Sequence, residues 1–204
     1  MNMQSIALFE MAITCSIVLI WIIQQLSQKV FPLTARVVLL ILLTNLFFWP
    51  IGLSLELPLA AYVRGAFGDL SIVTTLLLWC SLLPNHKTTP LVFKASIALI
   101  ALGFYPFALG IGMIDPYAWG YGSIIFLIAV IFFALICSLA SWNQGVCIIA
   151  IAILAWSAHW HESTNLWDYV LDPILAIWAI AAVTTAIFRQ RKQKARSGYL
   201  FRQG

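Results

Sequence analysis

Seven apolar segments, separated by short polar connections, dominate this chain and limit what it can fold into. A helix needs about 20 apolar residues to cross a bilayer, and most of the segments approach that length. They cover residues 5–26, 37–55, 63–83, 91–113, 122–140, 145–158 and 166–188. Only 9% of the 204 residues are charged, against about 25% in an ordinary soluble domain. The sequence therefore predicts an all-α fold, a polytopic transmembrane bundle of about seven spans, and excludes a water-soluble globule.

The connections between the segments are too short to hold a separate soluble domain. We therefore expect one transmembrane helical domain over residues 1–188 and a basic cytoplasmic tail over residues 189–204. The first segment has no basic stretch before it and no small-residue cleavage site after it. It is therefore predicted to be a retained helix and not a secretory signal.

The distribution of charge predicts the orientation, because Lys and Arg concentrate in short cytoplasmic connections. The tail holds six of the 11 basic residues, which places the C-terminus in the cytoplasm and, with seven spans, the N-terminus outside. All basic residues except Arg64 then fall inside, including Lys87, Lys94 and Arg202. The seven acidic residues fall at or near the outer face. We expect an integral, multi-pass protein of the bacterial inner membrane whose first partner is the lipid bilayer.

Several acidic residues lie inside the apolar segments, where an ionised carboxylate costs about 2.5–3.5 kcal/mol. The candidate binding cluster at the outer face contains Arg64, Asp69, Asp168, Asp172 and Asp115, and Glu10 is a further embedded acid. Arg64 can neutralise only one of them, so the others need a proton, a cation, water or a basic partner. The alternative is that these acids reach the interface or sit favourably at helix N-termini.

The relation between Arg64 and Asp69 depends on helix continuity. The two residues are five apart, so on an ideal helix their side chains point about 140° away from each other. A break at Gly65 or Gly68 would bring them together, because glycine readily leaves the helical conformation.

His159, His161 and Glu162, followed by Asp168, form a string of residue types that bind zinc, iron or copper. They are weak metal candidates, since His86 is predicted on the opposite side and no second histidine cluster lies nearby. We expect solvated loop histidines, no metal and no cofactor.

The sequence contains no phosphate loop, nucleophile elbow or His-Glu-x-x-His helix. We therefore favour a non-enzymatic envelope component that docks a membrane-protein partner or a lipid-linked substrate at its outer acidic face, without binding nucleic acid. One alternative is a small proton- or cation-coupled transporter that uses Asp69, Asp168 or Asp172. Another is an outer-face enzyme acting on lipid-linked substrates, with His159 or His161 as the base.

Overall fold

The computed structural model describes residues 3–50, 56–83 and 88–200, and in these ranges the chain is helical with no strands. The α-helices are Met3–Ser27 (α1), Leu33–Phe48 (α2), Leu59–Phe67 (α3), Ile72–Cys80 (α4), Leu91–Ala108 (α5), Ile124–Leu139 (α6), Asn143–Ser157 (α7), Trp167–Val170 (α8) and Pro173–Leu200 (α9). A short 3-10 helix covers Pro116–Gly120. His86, Lys87 and Arg202, as well as the end of the second apolar segment, lie outside the described residues.

Within the described residues, three stretches of helix are long and apolar enough to cross a membrane: Ser5–Ser27, Leu91–Ala108 and Pro173–Lys194. Helices α2, α6 and α7 are apolar but shorter, with 16, 16 and 15 residues. A 16-residue helix is about 24 Å long, less than the roughly 30 Å of the hydrocarbon layer. The helices thus support a membrane protein in general.

The expectation that residues 63–83 form one helix is wrong. Helix α3 ends at Phe67, Gly68 adopts a φ of 75°, and α4 begins only at Ile72. The positive φ is a conformation that glycine adopts without steric cost. Ser71 then caps α4, with its hydroxyl accepting a hydrogen bond from the Thr74 amide. Asp69 therefore lies in an irregular connection between two short helices.

The last predicted segment is interrupted in the same way. Helix α8 ends at Val170, Leu171 is extended with φ −143° and ψ 129°, and α9 starts at Pro173. Proline is favoured at the first position of a helix, where its missing N–H costs nothing. Helix α9 then continues to Leu200, so residues 189–200 of the predicted tail extend this helix.

The chain forms two compact units, and unit 1 consists of Met1–Lys87 and Trp119–Asp172. In unit 1, α1 packs against α2, α3 and α4, and α7 packs against α4, α6 and α8. Met11, Ala12 and Ala60 form a buried cluster where α1 meets α3. Small residues such as these two alanines let membrane helices approach closely.

Arg36 joins the start of α2 to the end of α4. Its Nε donates to the Phe31 carbonyl and its Nη1 donates to the Leu82 carbonyl, each at 2.9 Å. The Leu82 carbonyl lies just beyond α4, where no further helical turn supplies an amide donor, and a cation near a helix C-terminus is favourable. Arg36 therefore joins the connection before α2 to the turn after α4.

Unit 2 consists of Thr88–Ala118 and Pro173–Gly204, and in it α5 packs against α9. The Lys94 ammonium lies 5.1 Å from the centroid of the Trp178 ring, within the range of a cation–π contact. Asp115 is exposed and stabilises its own turn, with Oδ1 accepting a hydrogen bond from the Tyr117 amide at 2.9 Å.

Candidate functional site

The Arg64 cluster consists of Arg64, Asp69 and Glu162. Arg64 binds both carboxylate oxygens of Asp69, through Nε and through Nη2 at 2.8 Å. Its Nη2 also lies 3.3 Å from Oε1 of Glu162. The Arg64 and Asp69 side chains are only 20% and 24% exposed, whereas Glu162 is 62% exposed. The interruption of the helix at Gly68 thus lets Arg64 and Asp69, whose side chains would diverge on a continuous helix, form an ion pair with two hydrogen bonds.

The pKa of Asp69 reflects two opposing effects. Burial raises it, and the hydrogen bonds and positive charge of Arg64 lower it by more. The net result is a pKa below the ordinary value for this carboxyl, because the ionised form is the one that Arg64 stabilises.

Asp172, between α8 and α9, contacts the connection between α3 and α4. Its Oδ2 accepts hydrogen bonds from the Ser71 amide at 2.9 Å and from the Ser71 hydroxyl at 2.7 Å. Both residues are buried. The hydroxyl of Ser71 therefore serves the N-terminus of α4 and a buried carboxylate at once.

Glu10 and His161 form a second buried pair. His161 Nε2 lies 3.3 Å from Oε2 of Glu10, and the Trp160 indole N–H donates to the same oxygen at 2.8 Å. The His161 ring stacks on Tyr169 with a centroid separation of 5.0 Å. The pair thus links α1 to the loop that follows α7.

Tyr169 holds this loop in place. Its hydroxyl accepts a hydrogen bond from the His161 amide at 3.0 Å and donates to the Ser163 carbonyl at 2.9 Å. The side chain is fully buried, and burial raises the pKa of its phenol. The uncharged phenol therefore keeps both hydrogen-bonding functions.

A small cavity, here called the His161 cavity, lies between these pairs. Its polar lining comprises Glu10, Thr14, Asp69, Thr75 and His161, and its apolar lining comprises Ala7, Met11 and Leu70. The space that the centre of a water molecule can occupy is about 10 Å³. In the described part of the chain, His161 Nδ1 and Thr75 Oγ1 are buried and have no hydrogen-bond partner.

The structure brings several of the predicted site residues together and leaves others apart. Arg64 and Asp69 form one ion pair. Asp172 contacts the same connection between α3 and α4, through Ser71. Asp168, in α8, accepts a hydrogen bond from the Ser163 hydroxyl of the preceding loop. Asp115 belongs to unit 2.

The weak metal candidates separate into different environments. His159 is exposed in the turn after α7, His161 is buried against Glu10, and Glu162 contacts Arg64. Within the described residues, no group of three or more His, Cys, Asp or Glu side chains has an arrangement that could hold a metal ion.

Sequence reasoning missed the neutral members of the site: Ser71, Thr75 and Tyr169. Ser71 carries a recognisable signal, since a serine just before an apolar helical stretch is a typical N-cap. Thr75 carries none, because it meets the cavity residues Glu10 and His161 only through the fold. Tyr169 contacts His161 and Ser163, eight and six residues before it, but no pattern in the sequence identifies this loop contact.

No protein-family model, curated protein or solved structure matches this chain.

Proposed function

We propose that this chain is a multi-pass protein of the bacterial inner membrane that docks a positively charged group of a membrane-protein partner at the Arg64 cluster. The observation that carries the proposal is the exposure of Glu162 beside a largely covered ion pair. One positive and two negative charges leave this cluster with a net charge of −1. The surplus charge resides on the side chain that a partner can reach.

The cluster is suited to an exchange of partners. The contact between Arg64 and Glu162 is long and exposed on the glutamate side, and such pairs contribute about 0–1 kcal/mol. A lysine or arginine of a partner therefore displaces little when it binds Glu162. Arg64 stays fixed by its two bonds to Asp69, so the acceptor site loses little conformational freedom on binding.

Co-purification of the full-length protein with its partner tests this docking. Glu162→Lys should abolish the complex in mild detergent, and Glu162→Gln should weaken it and reduce its dependence on salt. Glu56→Lys is the matched control, since Glu56 is another exposed acid of unit 1 and its reversal should leave the complex intact. The same partner recovered with Glu162→Lys would contradict the proposal. Recovery of a lipid-linked molecule in place of a protein would assign the site to a lipid-linked substrate.

The proposed topology has seven spans, with the N-terminus outside and the C-terminus in the cytoplasm. It rests on the segregation of basic and acidic residues along the sequence. A single cysteine at position 115, in a variant without the four native cysteines, should react with an impermeant reagent added from outside. Reaction only from the cytoplasmic side would overturn the orientation.

A proton- or cation-coupled transporter is the second candidate. The observation in its favour is that two carboxylates, those of Glu10 and Asp69, line the His161 cavity. The cavity lies beside the irregular connection between the short helices α3 and α4. Interrupted helices with embedded acids are typical of ion sites in transporters. In proteoliposomes, Asp69→Asn and Asp172→Asn should then abolish pH-dependent flux while leaving complex formation intact. If these variants lose the complex and the wild-type protein shows no flux, docking is favoured.

A further inference from the structure

The His161 cavity contains two polar atoms whose hydrogen-bonding requirement is unmet by the described residues. His161 is 4% exposed and Thr75 is 2% exposed, and neither His161 Nδ1 nor Thr75 Oγ1 has a protein partner. A buried polar atom without a hydrogen bond is costly, so such atoms in native proteins are usually satisfied by ordered water. Both residues line the same cavity, so one small ligand can serve both.

The contact of His161 with Glu10 indicates what this ligand must offer. A carboxylate only accepts hydrogen bonds, so the proton of a neutral His161 lies on Nε2, the atom facing Glu10. Nδ1 is then left with a lone pair that requires a donor. The Thr75 hydroxyl both donates and accepts, and therefore suits the same ligand.

Size and polarity restrict the ligand further. About 10 Å³ of space for the centre of a water molecule is the room that a single water molecule needs. The carboxylates of Glu10 and Asp69 and the hydroxyl of Thr14 complete the polar wall. A cavity lined in this way fits one ligand with a single non-hydrogen atom that donates hydrogen bonds.

We propose that the His161 cavity binds one water molecule as a fixed part of the structure, hydrogen-bonded to His161 Nδ1 and Thr75 Oγ1. This water lies between the Glu10–His161 pair and the Asp69 side of the Arg64 cluster. The inference is independent of docking, which depends on the exposed Glu162. Asp69 lines the cavity and belongs to the Arg64 cluster, but His161 and Thr75 take no part in docking.

Thr75→Val tests the proposal, because its effect on stability changes sign with the state of the cavity. If water is bound, the substitution removes one of its partners, and the apparent melting temperature should fall by about 2–4 °C. If the cavity is dry, the substitution removes a buried hydroxyl that has no partner, and the melting temperature should rise. Thr184→Val is the control, since that exposed hydroxyl bonds only to the Ile180 carbonyl of its own helix; it should leave the melting temperature unchanged.

A crystal structure of the full chain in a lipid phase gives the direct observation. We expect one water peak about 2.7–3.2 Å from both His161 Nδ1 and Thr75 Oγ1, and its loss in Thr75→Val. An empty cavity, or a rise in melting temperature for Thr75→Val, would overturn the proposal. If the wild-type protein, but not Thr75→Val, melts at a higher temperature in ammonium chloride than in sodium chloride, the ligand of the cavity is an ammonium ion and not water.

Discussion

A serine and an arginine lie at or near each end of α4, but they bind different groups at the two ends. At its start, the Ser71 hydroxyl binds the buried carboxylate of Asp172, and Arg64 pairs nearby with Asp69. At its end, the Ser81 hydroxyl donates to the Leu78 carbonyl, and Arg36 donates to the Leu82 carbonyl. The end of α4 thus uses one serine and one arginine to satisfy backbone carbonyls. At its start, a different serine and arginine bind carboxylates.

This difference separates structural polar groups from candidate functional ones. Backbone carbonyls at a helix end must find donors in any fold, so Arg36 and Ser81 need no functional explanation. A buried carboxylate costs free energy unless it is paired. The start of α4 therefore contains paired carboxylates, whereas the end of α4 contains groups that satisfy backbone carbonyls.

The largest expected contrast is between Ser71→Ala and Ser81→Ala. Ser71→Ala removes a hydrogen bond to a buried carboxylate, which contributes about 1.5–3 kcal/mol, and an N-cap that contributes about 1 kcal/mol. Ser81→Ala removes a single bond to a neutral carbonyl, worth about 0.5–1.5 kcal/mol. Thermal unfolding of both variants in the same detergent should show the larger loss for Ser71→Ala. Equal losses would mean that the two ends of α4 do not differ in this way.

The next contrast concerns pH. The pKa of Asp69 is lowered in the folded protein, so the stabilisation from its pair with Arg64 is present above the ordinary carboxyl pKa of about 3.9 and is lost as pH falls through the lowered value. Arg64→Gln should remove this stabilisation and with it part of the loss of stability in acid. Arg36→Gln removes bonds to neutral carbonyls and should leave the acid dependence as in the wild-type protein.

Unfolding curves measured between neutral pH and about pH 3 would decide this point. The stability difference between wild-type protein and Arg64→Gln should shrink as the pH falls. A difference that stays constant over this range would show that the Asp69 carboxylate is not the group that Arg64 stabilises.

Local signals predict much of this architecture, and long-range contacts account for what they miss. The apolar segments predict helices, and Gly68 identifies one of the two positions at which a break would unite Arg64 with Asp69. Pro173 is a helix-start signal that indicates the second interruption. Hydropathy alone nevertheless predicts one span in each stretch, because it does not distinguish one helix from two short ones.

The partners of the embedded acids could not be predicted from the sequence. Glu10 and His161 are 151 residues apart, and Ser71 and Asp172 are 101 apart. No periodicity or spacing connects such positions, because their contact depends on how α1, α4 and the loop after α7 pack. Hydropathy locates an acid inside an apolar segment, and only the fold determines what neutralises it.

The smallest expected effect on stability is that of Glu162→Gln. Glu162 is mostly exposed and meets Arg64 at 3.3 Å, so removing its charge should change the free energy of unfolding by less than about 1 kcal/mol. The same change should weaken binding of a basic partner, because the exposed carboxylate is the group that the partner reaches. A large loss of stability would instead make Glu162 a structural member of the Arg64 cluster, comparable to Arg36 at the other end of α4. Unchanged stability together with weaker co-purification is the combination that only docking predicts.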